Sequence, residues 1–102
     1  MLDFAVSNGA LLVICGVDRL TSARALELAA AKPKHARAFV GVHPSEVTKE
    51  AGLEWLPGGL ERATGLGEVG LDPKYSATGS RSTQLKALEA QLSAVERMRK
   101  PV

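Results

Sequence analysis

The sequence predicts an α/β fold in which parallel strands alternate with helices. Two observations carry this. Short apolar runs bounded by Gly or Pro recur near residues 11–15, 38–42 and 66–69. Segments with apolar residues three and four apart lie between and after them, which is the spacing of a helix with one buried face. Crossovers between such strands are expected to be right-handed.

Each element has its own local reason. Residues 1–7 read as the tail of a helix, stopped by Asn8-Gly9. The run Leu11-Leu12-Val13-Ile14-Cys15 is apolar throughout and has Gly at both ends. It is expected to be a strand buried on both faces. Thr21 or Ser22 can cap a helix that runs to residue 31, where Lys32-Pro33 stops it. Its apolar face is Ala25, Leu28 and Ala29, with Leu26 alongside. Residues 38–42 form a second strand ending at His43-Pro44.

An interrupted helix is expected over residues 46–56, weakened by Gly52 and broken by Pro57-Gly58-Gly59. A short helix over 60–63 and a third strand over 66–69 follow, then a polar loop over 72–79. A long helix spans 82–99, with Leu85, Leu88, Leu92, Val95 and Met98 on its apolar face. A further strand can begin at Pro101-Val102. No linker divides the chain, so residues 1–102 are expected to form a single unit.

Composition narrows the function. Hydrophobic residues make up 45% and charged residues 24%, as in an ordinary globular protein. The net charge of +2 is spread out rather than gathered into a block, so charge alone does not indicate nucleic acid. The four aromatic residues Phe4, Phe39, Trp55 and Tyr75 are scattered and offer no stacking platform. Cys15 is the only cysteine, which excludes an internal disulfide and fits a reducing cytoplasm. Inside its apolar run it is expected to be a small buried hydrophobe. No apolar run approaches the roughly 20 residues of a membrane span.

In parallel sheets, ligand sites lie beyond the carboxyl ends of the strands. The polar residues there are Asp18, His43, Glu68 and Asp72. Glu68 is the sharpest, because a carboxylate inside an apolar strand is costly unless paired or metal-bound. It can instead point to solvent or pair with a basic residue. His43 can be a ligand, a proton carrier or a turn residue, and Asp18 can be a helix cap. His35 lies in a basic loop and is expected to be solvated. Gly65 to Gly70 spell the dinucleotide-binding pattern G-x-G-x-x-G. That pattern needs a strand before it and a helix opening within it, and here it occupies the strand itself.

Three segments together resemble the TatD family of metal-dependent hydrolases. They are Val40-Gly41-Val42-His43-Pro44, the run from Gly65-Leu66-Gly67-Glu68 to Val69-Gly70-Leu71-Asp72, and Gln84 with Gln91-Leu92 on the helix before Lys100-Pro101-Val102. The earlier run from Leu11 to Asp18, with Thr21-Ser22-Ala23-Arg24-Ala25 after it, fits the same order. The Gly-Glu-Val-Gly-Leu-Asp hexapeptide is the specific part.

The resemblance implies a (β/α)8 TIM barrel of about 250 residues, of which this chain would be an interior fragment, roughly the second to fourth βα units. It implies divalent metal ions (Mg2+, Zn2+ or Mn2+) and hydrolysis of phosphodiester bonds, typically in DNA. Glu68 carries over as a metal ligand and the catalytic carboxylate. His43 carries over as a residue lining the substrate site, and Asp72 as a neighbour that orients the loop or the metal's surroundings. The family's His-x-His pair and its later His and Asp ligands have no counterpart in this sequence. The chain alone is therefore expected to be inactive. The alternative is a stand-alone, non-catalytic α/β interaction module.

Overall fold

The alternation becomes four helices and three strands among the described residues: α1 (Leu2–Asn8), β1 (Leu12–Cys15), α2 (Arg19–Ala31), β2 (Ala36–Val40), α3 (Leu56–Arg62), β3 (Gly65–Leu66) and α4 (Arg81–Glu96). The computed structural model describes residues 2–49, 52–75 and 80–102. Short 3-10 turns at Pro44–Glu46 and Pro73–Tyr75 follow β2 and β3. The strands are all parallel, in the order β1-β2-β3, with Ile14 beside Ala38 and Val40 beside Leu66.

Strand alternation sorts these residues onto two faces. Ile14, Ala38, Val40 and Leu66 join one apolar cluster with Ala25 and Leu26 of α2, Leu56 and Leu60 of α3, and Val95 of α4. Three helices thus cover one face. The register places Cys15, Phe39 and Gly65 together on the other, with Val13 beside Arg37. There Val13 is 58% exposed, and Cys15 is exposed as well. This corrects two expectations. β1 is buried on one face only, and Cys15 is not a core residue, because the helices of the apolar cluster, α2, α3 and α4, pack on the other side of the sheet.

Close approach fixes two glycines. A Cβ on Gly16 would lie 2.2 Å from Ser22 Oγ and 2.5 Å from Ser22 Cα, so α2 can cross β1 only over a glycine. A Cβ on Gly65 would lie 2.3 Å from the Pro101 carbonyl oxygen. That oxygen accepts the Leu66 N–H at 2.9 Å, so the segment after α4 runs beside β3, where a further strand was expected. Lys100 holds this segment in place: its Nζ donates to the carbonyls of Leu60, Glu61 and Ala63 at 2.6, 2.8 and 2.8 Å, closing the carboxyl end of α3.

Other boundaries differ for physical reasons. α3 starts at Leu56 and contains the Pro57-Gly58-Gly59 run that was expected to break a helix. Proline in the first turn lacks an N–H that would have no helical partner anyway. The helix expected over 46–56 does not form among the described residues, where 47–49 and 53–55 are turns and bends and α3 begins only at Leu56; residues 50–51, and 76–79 of the expected polar loop, lie outside the described residues. β3 ends at Leu66, so Glu68 lies beyond the strand rather than within it, and it is exposed. It needs no buried counter-charge. In α4, Gln84 and Gln91 are buried with Val95, whereas Leu85 and Leu92 are exposed. The helix is therefore rotated from its expected apolar face.

Candidate functional site

The carboxyl ends of the strands are tied together by main-chain hydrogen bonds. Gly16 N–H donates to the Phe39 carbonyl (2.9 Å), His43 N–H to the Val17 carbonyl (2.8 Å), and Glu68 N–H to the Gly16 carbonyl (2.9 Å). The segments after all three strands therefore meet at one edge, as a parallel sheet requires of a site.

Asp18 serves as the N-cap of α2. Its Oδ1 accepts the Thr21 N–H at 2.8 Å and the Thr21 hydroxyl at 2.6 Å, while Thr21 Oγ1 accepts the Asp18 N–H at 3.1 Å. This reciprocal capping box holds the Asp18 carboxyl below its ordinary range, chiefly through the Thr21 hydroxyl and then the Thr21 N–H. The cap therefore starts at Asp18 rather than at Thr21 or Ser22.

His43 is half-buried and opens the turn after β2. Its Nδ1 accepts the Ser45 N–H at 3.1 Å and lies 2.9 Å from the Ser45 hydroxyl. A ring nitrogen that accepts a main-chain N–H is unprotonated, which places the proton of the neutral ring on Nε2. The ring meets Tyr75 edge-on at 5.3 Å between centroids. Asp72 is also half-buried, and its Oδ1 accepts the Lys74 N–H at 3.0 Å, a local turn that orients the loop after β3. His35, expected to be solvated, is half-buried with Nδ1 3.3 Å from the Ala10 carbonyl.

Glu68 lies close enough for its charge to act on Cys15. Partial desolvation, and then this charge, push the Cys15 thiol above its ordinary range. Among the described residues, no group of three or more His, Cys, Asp or Glu is placed to hold a metal ion. Glu68, His43 and Asp72 share an edge but do not form a ligand cluster. One exposed carboxylate does not make a divalent-metal site, which takes several ligands.

Sequence reasoning offered Ser22 only as a helix cap and gave Gln84 and Gln91 no structural role, yet all three shape this edge. Among the described residues, the buried polar ones are Ser22, Gln84 and Gln91, at 0, 2 and 1% exposure. Ser22 Oγ donates to the Gly41 carbonyl at 3.3 Å and accepts the Gly41 N–H at 3.2 Å. Gln91 Oε1 accepts the Val42 N–H at 2.7 Å, and its Nε2 donates to the Val42 carbonyl at 3.2 Å. Gln84 treats Asp72 the same way, at 2.8 and 3.0 Å. The available signal was a glutamine at seven-residue spacing on the core-facing side of a helix, where an apolar residue is ordinary.

No helix among the described residues is long and apolar enough to cross a membrane. None of the curated proteins matches the chain. The family model described as TatD related DNase matches residues 3–102.

Proposed function

The chain belongs to the family of TatD-related DNases, and from that premise we propose that it forms part of a metal-dependent hydrolase that cleaves phosphodiester bonds in DNA. Membership supports a nuclease-type hydrolase and a metal-dependent one. The observation that carries the reading to these residues is the meeting of the post-strand segments bearing His43, Glu68 and Asp72 at one sheet edge.

The proposed architecture is a (β/α)8 barrel to which this chain contributes three parallel strands. The bare sheet face supports it, since parallel sheets are ordinarily covered on both faces. In a barrel, Val13, Cys15 and Phe39 would face the interior.

Glu68 is assigned as one carboxylate ligand of a divalent ion. Such an ion, when bound, polarises a phosphoryl oxygen and activates water. His43 is assigned to the substrate side, with its Nε2 proton as a hydrogen-bond donor. Asp72 is assigned to orienting its loop. The remaining metal ligands are not supplied by the described residues, so the chain on its own is expected to be inactive.

Adding Mn2+ to the labelled chain tests Glu68 by NMR. With its partner ligands missing, only weak broadening is expected at Glu68, and it should vanish in Glu68→Gln. Broadening centred elsewhere would remove Glu68 from the ligand role. Plasmid DNA incubated with the chain and Mg2+, Mn2+ or Zn2+ is expected to remain intact. Metal-dependent cleavage that disappears in Glu68→Gln would show a complete site instead.

The second reading is a non-catalytic interaction module. The exposed Val13 and Leu11 favour it, since they leave apolar surface for a partner. Sedimentation distinguishes the two: a stable monomer with a cooperative melt supports an autonomous module.

A further inference from the structure

Buried polar side chains are retained where their hydrogen bonds are satisfied. Ser22, Gln84 and Gln91 each make hydrogen bonds to the main chain of the two segments that follow β2 and β3. We infer that these three are the positioning residues of the site: together they set where His43 and Asp72 stand relative to each other. This rests on the reading that those two segments line the site.

The geometry is specific. Gln84 and Gln91 are seven residues apart on α4, two turns and about 10 Å along the axis. Each amide pairs with both the N–H and the carbonyl of one residue, as a neighbouring strand would. The partners lie far away in sequence, 49 residues for Val42 and 12 for Asp72. One rigid helix thereby grips both segments at a fixed spacing. Ser22 holds Gly41 from α2, so consecutive residues Gly41 and Val42 are gripped by two different helices. His43 comes next, and its own N–H is held by Val17.

The two segments also touch. Tyr75 N–H donates to the Asp72 carbonyl at 3.1 Å, and the Tyr75 ring lies against His43. The His43–Tyr75 contact therefore reports whether the two clamps are in register. An apolar residue at 84 or 91 would fill the same space but leave a main-chain N–H and carbonyl without these partners.

The test uses amide hydrogen exchange and ring-to-ring NOEs on the full chain. In the unaltered protein, the Val42 and Asp72 amides should both exchange at least tenfold more slowly than the exposed amides of the flanking turns. Exchange as fast as those turns at both positions overturns the inference without any variant, which covers the case of variants that do not fold. Gln91→Met should speed exchange at Val42 at least tenfold and leave Asp72 protected. Gln84→Met should do the reverse and remove the His43–Tyr75 NOE. Equal loss of protection at both amides, or an unchanged NOE in folded Gln84→Met, would make these residues general stabilisers and overturn the inference. No readout depends on metal or DNA, so failure here and failure of the hydrolase reading remain distinguishable.

Discussion

The two faces of the sheet are built on opposite terms. On the helix-covered face, Ile14, Ala38, Val40 and Leu66 pack into a closed apolar cluster, and the polar groups buried near it are hydrogen-bonded. On the other face, Val13 and Cys15 are exposed next to Arg37 and Phe39. Strand composition does not explain the difference, because β1 is apolar at every position. What differs is the partner layer. Helices α2, α3 and α4 all serve one face, and stability should follow that division.

The largest effect should come from the covered face. Leu60 is 0% exposed in the centre of the cluster. Leu60→Ala is expected to cost about 2–5 kcal/mol, the transfer loss plus the cavity, read as a lower urea midpoint. Val13→Ala should stay within about 0.5 kcal/mol, as at an exposed site. A comparable loss at Val13 would break the comparison, because it would mean that the bare face is covered in solution.

This division also marks what could be read from the sequence. Element order and parallel pairing followed from the alternation of apolar runs and helical spacing. The face of β1 did not, because Leu12-Val13-Ile14-Cys15 has no polar residue to mark the exposed side. Pro57 was ambiguous, since the same residue stops a helix or opens one depending on where the first turn falls. The edge position of His43, Glu68 and Asp72 was legible from the strand ends. The clamps were not: Gln91 and Val42 are 49 residues apart, and nothing local to either reveals their pairing. The exposure of Glu68 depended on where β3 stops. That in turn depends on pairing with β2, which ends at Val40.

A smaller effect tests the edge between the two faces. Asp18→Ala removes the capping box that starts α2 just past β1, and should cost about 0.5–2 kcal/mol. Its pH dependence has a definite sign. The folded-state carboxyl is held below its ordinary range. The stabilisation is therefore fully present above the unfolded pKa, about 3.9, and is lost as pH falls through the lower folded value. Thermal melts of the two proteins should differ most at neutral pH and converge in acid. A gap that persists unchanged in acid would assign the loss to packing rather than to the carboxylate cap.

The smallest effect probes the bare face itself. Cys15 is raised first by partial desolvation and second by the charge of Glu68. Glu68→Gln removes only the second cause, so the pH profile of Cys15 alkylation by iodoacetamide should move to lower pH. It should still sit above that of an unperturbed thiol, because the larger cause remains. Since the thiolate is the reacting species, alkylation at a fixed pH near neutrality should be faster in the variant. An unchanged profile would mean that Glu68 is directed away from Cys15. The carboxylate would then have no link to the bare face, and its proposed role as a metal ligand would lose its local support. A shift in the expected direction would place the one carboxylate assigned to the metal beside the exposed face rather than the packed one. That is where a site completed by further strands would have to form.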